Sequence, residues 1–425
     1  MREKERGENG EHGEWKERAG GAPAARRRIL IVIGTLQIGG GAEKVAATVG
    51  SELTARGHEV HLLTFYEAKQ KYPYTGIYHT EGEPIITNRL KKIWRVPWRV
   101  WKIQRYARRH NIEVAISFLE EANFYTLLAK LFGLWRLPVV VSVRNNIRER
   151  EWPFRLATCL LYPFAHRVVA VTRAIEDILR SDYRLSNTTT IYNPLEYEQI
   201  HARATEPLPA AYEPLFTQPG PVCITVGRLT KQKGQWHLIR AFTAVRAHHP
   251  QAKLIIVGAG EDRAKLEALV AACDLTDAVQ LIGRQENVYR FVARADVFVF
   301  ASLWEGMPNT VLEALALGVP IVAPDCVSGP REILAPDVGL HDALDYPYQT
   351  AQGTLVAPLT SAYIWSAPQE TPLTAEEAQL ASVISQQLTK HIEQNEQQAR
   401  RAPDPRFTLE TIVGEWERLC EKAQK

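Results

Sequence analysis

Cysteine is scarce in this chain. Its five residues, Cys159, Cys223, Cys273, Cys326 and Cys420, are scattered over 425 positions, odd in number and never spaced C-x-x-C. That excludes a disulfide framework or a zinc ribbon. It suits reduced, mostly buried thiols in a cytoplasmic protein. Long apolar runs are missing too, and none approaches the roughly 18 residues that mark a membrane-spanning helix. Charge of one sign is not in excess. Lys plus Arg number 51 against 48 Asp plus Glu, a formal net of +3. This argues against a dedicated nucleic-acid binder and leaves room for a local basic surface. The 12 histidines form no H-x-x-H pair and no metal-ligand cluster. Residues 1–28 lack the apolar core of a signal peptide; polar, charged and glycine-rich, they read as a disordered tail.

What is present is an alternation of short apolar runs with longer amphipathic stretches. Runs at 29–33, 59–65, 114–118, 139–143 and 168–171 read as strands, and a second set falls at 222–226, 253–257, 279–282, 297–300 and 320–323. Helical patterns lie between them, as at 43–56, 125–132, 236–248 and 262–272. Such βαβ repetition implies an α/β chain with doubly wound parallel sheets. The length suits two domains. Pro207-Leu208-Pro209 through Pro219-Gly220-Pro221 divides the sets as a linker would. The expected division is a tail at 1–28, one Rossmann-like domain at 29–200, a linker at 201–219, a second at 220–405 and a last helix at 406–425. The stretch 340–374 is Pro- and Tyr-rich and reads as an irregular insertion around Gly353-Thr354-Leu355-Val356.

The most specific segment is Glu305-Gly306-Met307-Pro308-Asn309-Thr310-Val311-Leu312-Glu313. It follows a buried-strand pattern and opens a helix at Asn309, so unpaired helix N–H groups should face the strand ends, which suits an anion. Two carboxylates beside an anion site suit a ligand that carries hydroxyls as well as phosphate. The plainer alternative is acids placed to favour a helix dipole; it accounts for Glu305 better than for Glu313, which lies beyond the first turn.

This stretch resembles the E-x7-E region of retaining glycosyltransferase family 4. Three further segments fit that family in order and spacing. They are Val226-Gly227-Arg228-Leu229-Thr230-Lys231-Gln232-Lys233-Gly234, Leu254-Ile255-Ile256-Val257-Gly258-Ala259-Gly260 and Val279-Gln280-Leu281-Ile282-Gly283. The resemblance spans about 29–335. It implies the GT-B fold, two Rossmann-like domains facing across a cleft, with a final helix crossing back to the first. It places the nucleotide ribose at Glu313 and the transferred sugar near Glu305. The turn Gly306-Met307-Pro308-Asn309-Thr310 would contact the donor and offer it the N–H groups of its non-proline residues, with Gly258 and Arg284 beside the nucleotide. Arg228 and Lys233 would neutralise the leaving diphosphate, in place of an obligatory metal or cofactor. The alternative for these two cations is solvated loop charges. Gly39-Gly40-Gly41 follows the first strand and would lie over the diphosphate and acceptor; it does not fit G-x-G-x-x-G, and a plain tight turn is the alternative.

On the acceptor side, Glu120, Asn123, Arg144 and Asn145 end two strands at the expected cleft, or serve as loop caps. Arg144-Asn145 resembles an Arg-Asn pair of a subgroup acting on polysaccharide and lipid-linked glycans. Many members carry a histidine nearby and this chain has none, which puts a histidine-assisted step in doubt. Finally, 89–109 holds nine Lys or Arg and three Trp with no acid. A helix from Pro97 would set Trp98 and Trp101 on one face with Arg99 and Lys102 beside them, and Lys92 and Arg95 near the start. This suits an anionic membrane surface; a solvated helix with core-packed tryptophans and an RNA-binding face are the alternatives. The expectation is a retaining transferase moving a hexose or N-acetylhexosamine from a nucleotide sugar, UDP-linked, to a glycan hydroxyl, at the inner face of the plasma membrane. A non-transferring GT-B enzyme, such as an epimerase or phosphorylase, and an idle membrane-associated partner protein are the other readings.

Overall fold

A computed structural model describes residues 26–84, 89–394 and 402–422, without the side chains of 89–93 and 394. Most of the expected tail therefore lies outside the described residues, as does the side chain of Lys92.

The first sheet contains β1 (Arg28–Ile33), β2 (Glu59–Tyr66), β3 (Ile77–Glu83), β4 (Val114–Phe118), β5 (Val139–Val143), β6 (Arg167–Ala170) and β7 (Thr188–Thr190). They are all parallel, in the order β3-β2-β1-β4-β5-β6-β7. The second contains β8 (Val222–Val226), β9 (Lys253–Val257), β10 (Val279–Gly283), β11 (Val297–Val299), β12 (Ile321–Pro324), β13 (Tyr348–Gln349) and β14 (Thr354–Val356). Its order is β10-β9-β8-β11-β12-β14-β13, and only β13 runs antiparallel among the described residues. Central strands such as β4 and β5 are buried along their whole length, because helices cover both faces. That is why they read as unbroken apolar runs.

Strand order reverses between β1 and β4 in one sheet and between β8 and β11 in the other. Ligands of open α/β sheets bind at such switch points, beyond the carboxyl ends of the strands. The segments that follow β1, β4, β8 and β11, loops and helix starts, carry Gly39–Gly41, Glu120, Arg228–Lys233 and Glu305. The two switch points face each other.

The halves are tied together. Glu332 accepts from the N–H groups of Arg173 (2.8 Å) and Ala174 (3.1 Å) at the start of helix Arg173–Ser181, and from the Tyr192 hydroxyl at 3.0 Å. A carboxylate at a helix N-terminus is favoured by the helix dipole; here it belongs to the other domain. Ser328 donates to the Gly306 carbonyl at 2.7 Å, so Thr172 donates to Ser328 at 2.6 Å. The last helix, Leu409–Lys422, returns to the first domain. Ile412, Val413, Trp416 and Cys420 join the core formed by Ile29, Ile31, Val60 and Phe118. Glu417 pairs with Arg56 at 2.9 Å and meets His58 at 3.0 Å.

The irregular stretch 340–374 is held by buried charges. Arg240 donates to Glu377 and to the carbonyls of Ser366, Thr371 and Pro372, while His237 joins Glu377 at 2.7 Å and the Thr360 carbonyl at 2.8 Å. Four cysteines are buried and Cys159 is exposed.

The basic stretch departs from expectation. The helix runs from Arg89 to Arg109 with Pro97 inside it, not at its start. Proline removes one helical hydrogen bond there, while Arg99, Val100, Ile103 and Ala107 beyond it anchor the helix by burial. Arg99 and Lys102 do not face outward. Arg99 is 1% exposed and donates to Glu83, Glu121 and the hydroxyls of Tyr66 and Tyr125. Lys102 pairs with Glu81 and, at 3.6 Å, with Glu83, and Arg95 reaches Glu83 at 3.2 Å. Two of the three neutralising acids, Glu81 and Glu83, come from β3, which no apolar run announces. Trp98 and Trp101 do share a face: they stack 4.8 Å apart and stay half-exposed, with Trp94 more open still.

Candidate active site

Beyond β8 the chain turns through a short 3-10 helix, Lys231–Lys233, into helix Gln235–His248. Gly234 makes the turn with φ +58, and a β-carbon there would stand 2.2 Å from the Ala301 carbonyl oxygen. Glycine is thus required by conformation and by space. The turn aims Lys233 at Glu305, where its ammonium binds Oε1 at 2.5 Å. Gln232 donates to Oε2 at 3.2 Å and to the Trp304 carbonyl at 2.9 Å. Both oxygens of this buried carboxylate are engaged. Arg228 is exposed and has no ion pair among the described residues. It lies near enough to Glu43, on the facing domain, to counteract the rise that burial gives the Glu43 carboxyl.

Gly306 sits where the halves pack tightly. A β-carbon there would lie 2.1 Å from the Arg144 carbonyl oxygen. Met307 is buried against the first domain: the N–H and amide of Asn193 contact its sulfur (3.3 Å) and carbonyl (3.4 Å). Asn193 also donates to Asn309. Helix Asn309–Ala316 starts here with Pro308 as its cap residue, so Asn309 and Thr310 open its first turn toward the cleft. Glu313, one turn on, accepts from Lys44 at 2.8 Å and from the Tyr289 hydroxyl at 3.2 Å.

The glycine-rich loop caps this group from above. Gly40 precedes helix Gly41–Ala55. A β-carbon at Gly41 would come within 3.4 Å of the Asn309 amide. Gly39 donates to the Tyr72 hydroxyl at 3.1 Å, and Arg284 reaches across to the Ile38 carbonyl at 2.9 Å. Gly258 lies at the end of β9 and donates to the Gly283 carbonyl at 2.9 Å. Arg228, Lys233, Glu305, Gly306, Met307, Asn309, Glu313, Gly40 and Gly41 therefore converge on one cleft.

The first-domain candidates divide. Asn123 is a correction: it is fully buried, accepts from Ser117 at 2.8 Å and donates to the Ser142 carbonyl and the Tyr162 hydroxyl at 3.0 Å each. Its amide joins strands and helix instead of facing an acceptor. Asn145 accepts from the N–H of Asn146 at 2.9 Å within its own turn. Glu120 begins helix Glu120–Gly133 and is bridged by Arg150 at 3.0 and 3.2 Å. Arg144 is buried, donates to Asn193 and, at 3.4 Å, to Ser142, and has no carboxylate partner among the described residues. Desolvation by burial pulls its pKa down to about 9.

Sequence reasoning missed Lys44, Tyr289, Asn193 and Gln232. Lys44 left a signal. It sits in the first turn of helix Gly41–Ala55, where the dipole disfavours a cation. Gln232 finds Glu305 and Trp304 within its own domain, whereas Asn193 and the Lys44–Tyr289 contact meet the site only where the halves face each other.

Comparison with known proteins agrees with this geometry. Residues 39–199 match the family described as Glycosyltransferase Family 4, and 213–347 match Glycosyl transferases group 1. An uncharacterized glycosyltransferase of Methanocaldococcus jannaschii, MJ1059, is 37% identical over 342 residues, 76% of this chain and 82% of that one. The N-acetylgalactosamine-N,N'-diacetylbacillosaminyl-diphospho-undecaprenol 4-alpha-N-acetylgalactosaminyltransferase of Campylobacter jejuni is 30% identical over 326 residues, 74% of this chain and 86% of that one. Among solved structures, Anabaena Alr3699/HepE in complex with UDP superimposes with a TM-score of 0.67 at 19% identity, covering 92% of this chain and 98% of that chain. The facing sheets, the glycine loop above the E-x7-E turn and these matches together place the chain in glycosyltransferase family 4, with the GT-B fold.

Proposed function

We propose that this enzyme transfers a hexose or N-acetylhexosamine, with retention, from a UDP-sugar to a hydroxyl of a growing lipid-linked or cell-envelope glycan. The observation that carries the reading is the convergence of Arg228, Lys233 and the opening turn of helix Asn309–Ala316 on one cleft. Two cations and free helix N–H groups suit a leaving diphosphate. In this reading those cations carry the developing charge, and no obligatory metal is needed. The engagement of Glu305 by Lys233 and Gln232 favours an acid that orients the sugar over a free nucleophile, and so favours departure and attack on one face. A diphospho-undecaprenol acceptor is named for the Campylobacter relative and UDP for the Anabaena structure. Both support the choice of substrates.

The same proposal puts the enzyme on the cytoplasmic leaflet of the plasma membrane. Among the described residues no helix is long and apolar enough to cross a bilayer. Contact would instead come from exposed aromatic and aliphatic side chains: Trp94, Trp98 and Trp101 on one helix, and Trp152, Leu156 and Leu160 on helix Trp152–Leu161. Tryptophan favours the headgroup level. Arg228→Ala and Lys233→Ala should each lower turnover at least about 100-fold, the scale of a lost transition-state contact, with the fold intact. Wild-type rates in a folded double variant would sink the diphosphate assignment.

A further inference from the structure

Lys44 and Glu313 come from different domains, yet their side chains form one buried group. The Lys44 ammonium donates to Glu313 Oε1 at 2.8 Å and to the Tyr289 hydroxyl at 2.9 Å. The Tyr289 hydroxyl in turn donates to the same Oε1 at 3.2 Å. Glu313 Oε2 has no hydrogen bond among the described residues. Both partners therefore hold one oxygen, and the other is left to accept.

We infer that Lys44 is a donor-positioning residue: with Tyr289 it fixes one oxygen of Glu313, so that the other meets the ribose hydroxyls of the nucleotide sugar. This rests on the reading of Glu313 as the ribose acid. Its new content is that donor affinity becomes a property of both domains. The acid belongs to the second domain and the cation that orients it to the first. A free carboxylate on a helix can take several rotamers. A charge-assisted hydrogen bond to each of two fixed donors selects one. Lys44 is also placed against the grain of its own helix, since a cation in the first turn opposes the dipole; the carboxylate across the cleft supplies the compensation. Burial works against the charge on Lys44, but Glu313 and Tyr289 outweigh it and hold its pKa above the ordinary lysine value.

The competing possibility is that Lys44 occupies the ribose position and must leave before a donor can bind. The two readings predict opposite signs. Calorimetry with UDP as the probe, on the full chain, decides between them. Lys44→Met should weaken UDP binding on the order of ten- to a hundredfold, the range for a hydrogen bond to a charged group. Lys44→Arg should restore most of it, and Tyr289→Phe should give a smaller loss. With a sugar donor, Lys44→Met should raise KM and leave kcat close to wild type. The double variant Lys44→Met/Glu313→Gln should bind UDP no worse than Glu313→Gln alone, because the lysine acts through that acid. A merely structural contact would lower the unfolding midpoint without this coupling. Unchanged or tighter UDP binding by Lys44→Met, with Glu313→Gln weakened, overturns the inference and leaves the ribose reading standing. Unchanged binding by Glu313→Gln overturns both.

Discussion

Arg144 is a buried cation without a carboxylate, and replacing it with methionine should stabilise the protein while it slows the reaction. A guanidinium stays charged at any working pH, so the burial that draws its pKa well down, to about 9, reflects the cost of keeping it charged in the cleft. That cost is roughly 4–5 kcal/mol. A base with a lowered folded pKa bears this penalty in full at neutral pH and is relieved only as pH climbs through about 9. Against it stand the interactions that the guanidinium makes. Asn193 would be deprived of a donor, at about 1–3 kcal/mol. The 3.4 Å approach to Ser142 is too long to add much. The Phe118 ring, 5.7 Å away, contributes about 0.5–1 kcal/mol. Methionine keeps most of the volume and leaves little cavity. The net is a gain of roughly 0–3.5 kcal/mol, centred near 2, or about 4–8 °C in unfolding midpoint at the central value. Turnover should nonetheless fall at least about tenfold on the reading that this charge meets an anionic group of the substrate. Paired thermal unfolding and transfer assays, with and without UDP, test this. A destabilised Arg144→Met would mean the charge is already compensated, and an unchanged rate would mean that no substrate anion meets it.

Three further outcomes are expected. Arg240→Met should cost about 3–5 kcal/mol, since it leaves Glu377 buried and short of a counter-charge, and should open 340–374 to protease; urea unfolding and limited proteolysis read both. For Glu377, burial raises the pKa, but the hydrogen bonds from His237 and Arg240 outweigh it and the net is lowered from 4.5. Its contribution is therefore present above that value and lost as pH falls through the depressed one, so Glu377→Gln should flatten the acid limb of the stability curve. Changing Trp94, Trp98, Trp101 and Trp152 to Ser should abolish co-sedimentation with anionic vesicles while sparing UDP binding; persistent co-sedimentation would place the membrane contact elsewhere.

All ten expected strands form, because strands buried on both faces announce themselves as apolar runs. The strands that sequence reasoning missed lie at or near sheet edges. β3 reads Ile-Tyr-His-Thr-Glu-Gly-Glu and is half-exposed, and β7 is three threonines. Missing β3 had a chemical consequence, since Glu81 and Glu83 turn the supposed lipid-facing cations inward. The second-domain half of the site was legible because one turn and one helix carry it. The first-domain half was not, because Lys44 and Asn193 acquire partners only in the closed fold, and Asn123 looks the same in sequence whether it faces a ligand or the core.

The returning helix Leu409–Lys422 bears on how the chain is made. Trp416 packs 5.5 Å from Phe118, and Glu417 meets His58 across 359 positions. A ribosome therefore releases the first half with one apolar face of its sheet covered only in part, by helix Gly41–Ala55. The rest of that face stays open while the whole second half is synthesised. Domains usually fold in the order they emerge, but here the earliest sheet is completed by nearly the last helix. The nascent chain has to be shielded over that interval, and a nonsense mutation or a ribosomal stall late in the message would expose the oldest part of the fold and leave the newest intact.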